Sequence, residues 1–104
     1  MSTLSTSTSD GTKARPGRFP LGHVVATPGA LEAVRANGVD VLALVRRHAS
    51  GDWGAVCAGD ARANDHAVGA GARVLSAYDT AGGRLWIITE ADRSATTVLL
   101  PSEY

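Results

Sequence analysis

The sequence contains one cysteine, Cys57, so no disulfide can form within the chain. A thiolate-rich zinc knuckle is excluded for the same reason. No apolar run reaches membrane-spanning length. The start of the chain lacks the apolar core of a secretory signal. These absences predict a cytoplasmic protein with no membrane partner. Charge of one sign is also missing: Lys+Arg and Asp+Glu both number 10, for a net charge of +0. A nucleic-acid-binding domain usually carries a basic excess, and a DNA mimic an acidic one. A nucleic-acid partner is therefore not favoured. Arg46, Arg47 and the Arg-bearing N-terminal stretch are the local patch that would serve one. Motifs with a defined chemistry are absent as well. There is no HExxH, no cysteine pair, no EF-hand loop, no GxxxxGK[ST] and no GxGxxG. No cofactor and no metal is expected.

What remains is an ordinary globular composition: 104 residues, 44% hydrophobic and 19% charged. That is one domain's worth, able to bury a core without covalent help. Eight of the first twelve residues are Ser or Thr. Too little apolar surface is present there to offset the entropy of ordering. Residues 1–17 are therefore expected as a disordered tail, and 18–104 as a single α+β domain.

Within that domain, Leu21–Ala26 is a Val-rich run that predicts a strand. Thr27-Pro28 predicts a helix start, with Thr27 as cap, and Gly38 its end. Asp40 caps a second helix whose apolar face is Val41, Leu44, Val45 and His48. Asp60 is expected to cap a third, weaker helix running to about Val68. The period then changes to two. Arg73–Tyr78, Arg84–Glu90 and Ala95–Leu100 predict three strands, with Asp79–Gly83 as a hairpin loop. The expected fold class is α+β. It comprises an antiparallel sheet of about four strands, one N-terminal and three in a C-terminal meander, with two to three short helices on one face. Leu85 and Ile87 alternate with Trp86 and Ile88, so both sheet faces carry apolar side chains. The face without helices needs the Phe19 segment or a second subunit.

Three segments concentrate polar side chains. His48, Asp52 and Trp53 lie within six residues, and a His near an Asp is the pattern of a base and its orienting group. Against that, His48 falls on the apolar face of its helix, Asp52 suits an Asx turn, and Trp53 suits packing under its loop. The stretch Thr89–Thr97 holds Glu90, Asp92 and Arg93. Paired carboxylates can bind a divalent ion or perform acid/base work. They can equally bond Arg93 and the turn amides. Asn64-Asp65-His66 matches no metal-ligand spacing. The candidate binding residues are therefore Arg93, Asp92, Glu90, Asp52, Trp53 and His48. No catalytic set is assigned, and the reading leans against an enzyme.

The strings ATPGALEAV, HASGDWG, RVLSAYD and RLWIITEADRSATTVLLPSEY together resemble a family of small bacterial proteins carried on plasmids and integrated mobile elements. The resemblance covers roughly Phe19 to Tyr104. It implies no activity, because the family has none established to carry over. A label sometimes given to such proteins, modification subunit of a type I restriction system, does not fit. A methyltransferase subunit needs a far larger cofactor-binding fold and an Asn-Pro-Pro-aromatic motif. The favoured function is a non-catalytic accessory or binding protein of a mobile element, acting through a protein partner or by self-association. The alternatives are a small hydrolase or nuclease using the GDWG and TEADR segments, and a nucleic-acid-binding regulator.

Overall fold

The computed structural model describes residues 17–104 together with the backbone of Ser2 and Thr3. The expected tail, residues 1–17, lies outside the described residues apart from those two and Gly17.

Local capping sets the helices. The Thr27 hydroxyl accepts from the Ala30 amide at 3.2 Å, with Pro28 in the first turn of α1, Pro28–Asn37. Gly38 ends α1 at a left-handed φ of 64°, which lets its amide return to the Val34 carbonyl. Asp40 caps α2, Val41–Ala49, by accepting from the Ala43 amide at 3.1 Å. Leu44, Val45 and His48 form the buried stripe of α2. The third helix differs from expectation. α3 spans Ala58–Ala70, and its cap is Cys57, whose Sγ accepts from the Asp60 amide at 3.4 Å. Asp60 instead lies in the first turn, where a carboxylate suits the positive end of the helix dipole.

The strands are β1 (Ser2–Thr3), β2 (His23–Ala26), β3 (Val74–Thr80), β4 (Gly83–Thr89) and β5 (Ala95–Leu99), in the spatial order β1-β2-β5-β4-β3. β3, β4 and β5 form the antiparallel meander. Their first hairpin is tighter than expected. Asp79 and Thr80 pair with Arg84 and Gly83, leaving Ala81-Gly82 as the turn. The Thr80 hydroxyl clamps it, donating to the Gly83 carbonyl at 2.7 Å and accepting from the Gly82 amide at 3.0 Å.

The purely antiparallel sheet is corrected by β2, which pairs parallel to β5 from His23↔Ala95 to Ala26↔Val98. The sheet is α+β but mixed. After β2 the chain passes through the helices and enters the sheet again at the far edge. Two hairpin reversals then bring β5 back in the direction of β2. Alternation along a single strand carries no information about that direction.

Val24, Ala26, Leu85, Ile87 and Val98 face the helices and pack with Ala30, Leu44, Val45 and Tyr78. Burying side chains of this size contributes about 1.5–3 kcal/mol each. Both α1 and α2 contribute to this core, whereas α3 runs beside β3. The Asn64 carboxamide spans the outer edge of β3, donating to the Leu75 carbonyl at 2.8 Å and accepting from its amide at 3.2 Å.

Candidate functional site

His48 sits at the bottom of the helix face, fully buried. Its Nδ1 lies 2.6 Å from Ser76 Oγ and its Nε2 lies 2.9 Å from Thr89 Oγ1. Thr89 Oγ1 is 2.7 Å from Thr96 Oγ1, and Thr96 donates to the Leu21 carbonyl at 2.7 Å. The far end fixes the direction of the threonine protons. A carbonyl only accepts, so Thr96 spends its single proton there. Thr89 must then donate to Thr96, and His48 must donate from Nε2 to Thr89. In a neutral ring this tautomer leaves Nδ1 to accept from Ser76. Burial, and then the nearby charge of Arg93, pushes the His48 pKa down to about 4. With both nitrogens engaged and no exposed surface, it has no free position for a substrate proton.

The GDWG loop and the TEADR turn do converge, around Phe19. The Phe19 ring stacks on Trp53 at 6.0 Å, meets His48 edge-on at 5.3 Å, and takes the Arg93 guanidinium over its face at 5.3 Å. Arg18 covers the Trp53 ring at 5.9 Å. The Trp53 indole N–H donates to Asp65 at 3.0 Å. This is a packed cluster, with Phe19 and Trp53 both buried. The carboxylates of Asp52, Asp92 and Glu90 do not enter it. Asp52 accepts from Arg47 at 2.7 Å and from the Gly54 amide at 3.2 Å, and those partners, Arg47 first, lower its pKa. It makes no pair with His48. Asp92 is exposed and accepts from the Ser94 amide at 2.9 Å. Glu90 is exposed.

Arg93 also departs from expectation. Its guanidinium pairs with backbone carbonyls and not with the Glu90 and Asp92 carboxylates. It donates to Ala72 at 2.7 Å, to Glu90 at 3.1 Å and to Ala67 at 3.1 Å. Arg93 thereby ties the last turn of α3 to the β4–β5 turn. It does so from a left-handed backbone, φ 61°, which a residue with a Cβ adopts at a cost.

Trp53-Gly54-Ala55 completes the edge of β3. The Trp53 carbonyl accepts from the Ala77 amide at 3.1 Å, and the Ala55 amide donates to the Ala77 carbonyl at 2.7 Å. Gly54 is required here: its φ is 75°, and a Cβ would lie 2.1 Å from the Ala77 carbonyl oxygen. The Asn64-Asp65-His66 run is likewise divided, with Asn64 on the β3 edge, Asp65 on Trp53, and His66 exposed. Among the described residues no three His, Cys, Asp or Glu side chains group as a metal site.

The opposite sheet face, which the sequence marks as apolar through Trp86 and Ile88, carries further residues outside the candidate set. Trp86 and Leu75 are only half-buried there, beside buried Ile88 and Leu99. Tyr104 meets Trp86 edge-on at 5.5 Å, and Arg73 stacks on Tyr104 at 5.5 Å. Of the described elements, the turn after β5 reaches this face through Tyr104. The rim holds charges of both signs: Arg84 pairs with Asp79 across β3 and β4 at 2.8 Å, and Arg73 and Glu90 flank the other end. The available signal was the alternation of Trp86 and Ile88 with Leu85 and Ile87. No described helix is long and apolar enough to cross a membrane. No protein-family model, no curated protein and no solved structure matches the chain.

Proposed function

We propose that this chain is a small non-catalytic accessory protein that works by protein contact, and that the contact is a second copy of itself seated on the sheet face bearing Trp86. The mobile-element context of this reading rests on the resemblance of the HASGDWG and TEADR strings alone. The observation that carries the reading is the cluster of Trp86, Tyr104 and Arg73 on the face opposite the helices. Trp, Tyr and Arg are the residues that most often anchor interfaces. Charge selects the occupant. The rim carries Arg73 and Arg84 against Asp79 and Glu90, so a two-fold-related copy can set each sign against its opposite. A polyanion would meet as many carboxylates as guanidinium groups.

The residues of the competing hydrolase reading support it poorly. His48 is enclosed, Asp52 is committed to Arg47, and Asp92 is committed to its own turn. The test is sedimentation over a wide concentration range, with Trp86→Ser as the contrast. A dimer that Trp86→Ser converts to a monomer with unchanged melting is the expected result. A wild-type chain that stays monomeric at the highest concentration overturns the reading, and a hetero-partner is then the next occupant to test.

A further inference from the structure

After β5 the chain makes a single 3-10 turn, Pro101–Glu103, and the Glu103 carboxylate fastens it to the start of α1. One carboxylate oxygen accepts from the Thr27 hydroxyl and from the Leu100 amide, the latter at 2.8 Å. The other accepts from the Gly29 amide at 3.2 Å. A carboxylate at this position complements the positive end of the helix dipole. Gly29 carries an independent sign of the same contact. A Cβ at that position would lie 2.5 Å from the Glu103 oxygen and 2.9 Å from its carboxyl carbon. The absence of a side chain in the first turn of α1 is what admits the carboxylate.

The neighbouring residue is Tyr104, whose ring lies against Trp86 and under Arg73 while remaining 64% exposed. Leu100 packs against the core, whereas the turn beyond it has no buried residue, so the Glu103 carboxylate is the side-chain contact that holds Tyr104 over Trp86. Exposed polar contacts of this kind are individually weak and exchange readily with water.

We infer that Pro101–Tyr104 is a displaceable strap, fastened by Glu103 at the start of α1, which lays Tyr104 over Trp86 and restrains access to the sheet face. The inference rests on the reading of that face as the contact surface for a second copy. Releasing Glu103 lifts Tyr104 off Trp86, which exposes Trp86 and leaves both rings free to meet a second copy.

The test uses the full chain with two substitutions that loosen the fastening by different routes. Glu103→Gln removes the charge, and Gly29→Ala places a methyl group in the carboxylate's position. Glu32→Gln is the control, since Glu32 is exposed on the same helix and among the described residues pairs with Arg35 alone, at 2.6 Å. Acrylamide quenching of tryptophan fluorescence reports the strap. Trp53 is 5% exposed, so any gain in quenching comes from Trp86. A charge-assisted bond shifts a local equilibrium by about tenfold. Both variants should therefore raise the quenching constant, and the control should leave it unchanged. Quenching equal to wild type in both variants overturns the strap. Sedimentation of the same samples reads the other claim separately. Tighter self-association alongside raised quenching supports both. Raised quenching with a strictly monomeric protein supports the strap and removes the second-copy reading.

Discussion

His48 makes a proton-linked prediction at the scale of one residue. In the folded chain it stays neutral down to about pH 4. In the unfolded chain an imidazole takes up its proton near pH 6.5. The unfolded state thus binds the extra proton first as pH falls, and folding loses stability across that window. The total loss is about 3 kcal/mol, largely above the range in which the carboxylates titrate. Urea unfolding at neutral and mildly acidic pH should show this slope, and His48→Gln should flatten it while lowering stability at neutral pH. Arg93 makes a second prediction. Arg93→Ala removes three bonds to carbonyls and should cost about 2 kcal/mol, whereas Arg93→Gly should cost about 1 kcal/mol less because glycine tolerates the left-handed backbone. Thermal melting of the two variants checks the order. An equal loss would mean that φ 61° stores no strain. Trp53→Ala should destabilise by about 3 kcal/mol or more, since the ring is enclosed by Phe19, His48 and Arg18. The packing of His48 and Trp53 was legible in the sequence, because an apolar helical face and a glycine-flanked aromatic are local signals. The partners of Arg93 were not. Ala67 and Ala72 present only backbone carbonyls, and no side-chain pattern advertises those.

The elements differ in how openly the sequence declares them. Thr27-Pro28, Gly38 and Asp40 mark their boundaries with residues whose chemistry demands a cap, and α1 begins and ends, and α2 begins, where those residues stand. α3 begins at Ala58 behind Cys57, an uncommon cap, so the sequence points to Asp60 instead. The hydroxyls of Ser76, Thr89 and Thr96 lie on inward positions of three strands, a visible oddity whose meaning depends on His48 being opposite. The edge of β3 depends on chain segments distant in sequence, Asn64 and the Trp53–Ala55 segment. An uncovered strand edge is a template for pairing with other chains. Gly54→Ala should push the loop off that edge, costing about 3 kcal/mol, and should promote aggregation on heating. Melting combined with light scattering tests it. A variant as stable and clear as wild type would show that the loop can shift without releasing β3.

For the whole molecule, the balance of 10 basic and 10 acidic residues predicts how association responds to salt. Contacts centred on Trp86 and Tyr104 are apolar, and rim ion pairs contribute little. Raising salt from about 0.05 M to about 0.5 M should leave the dimer constant within a few-fold, although the screening length shrinks several-fold. A collapse of association at high salt would point to an interface held by charge. The parallel pairing of β2 with β5 has a consequence in time as well as in space. The hydroxyl of Thr96 reaches the carbonyl of Leu21 across 75 positions of sequence. On the ribosome, β2 emerges early and waits without its neighbour until β5 has been synthesised. The helices can form from local contacts during that interval, but the sheet and the proton chain through His48 close only when the final strand arrives. Such high contact order places the slow step of folding after the synthesis of β5. In the interval, the apolar side of β2 is what a chaperone would find.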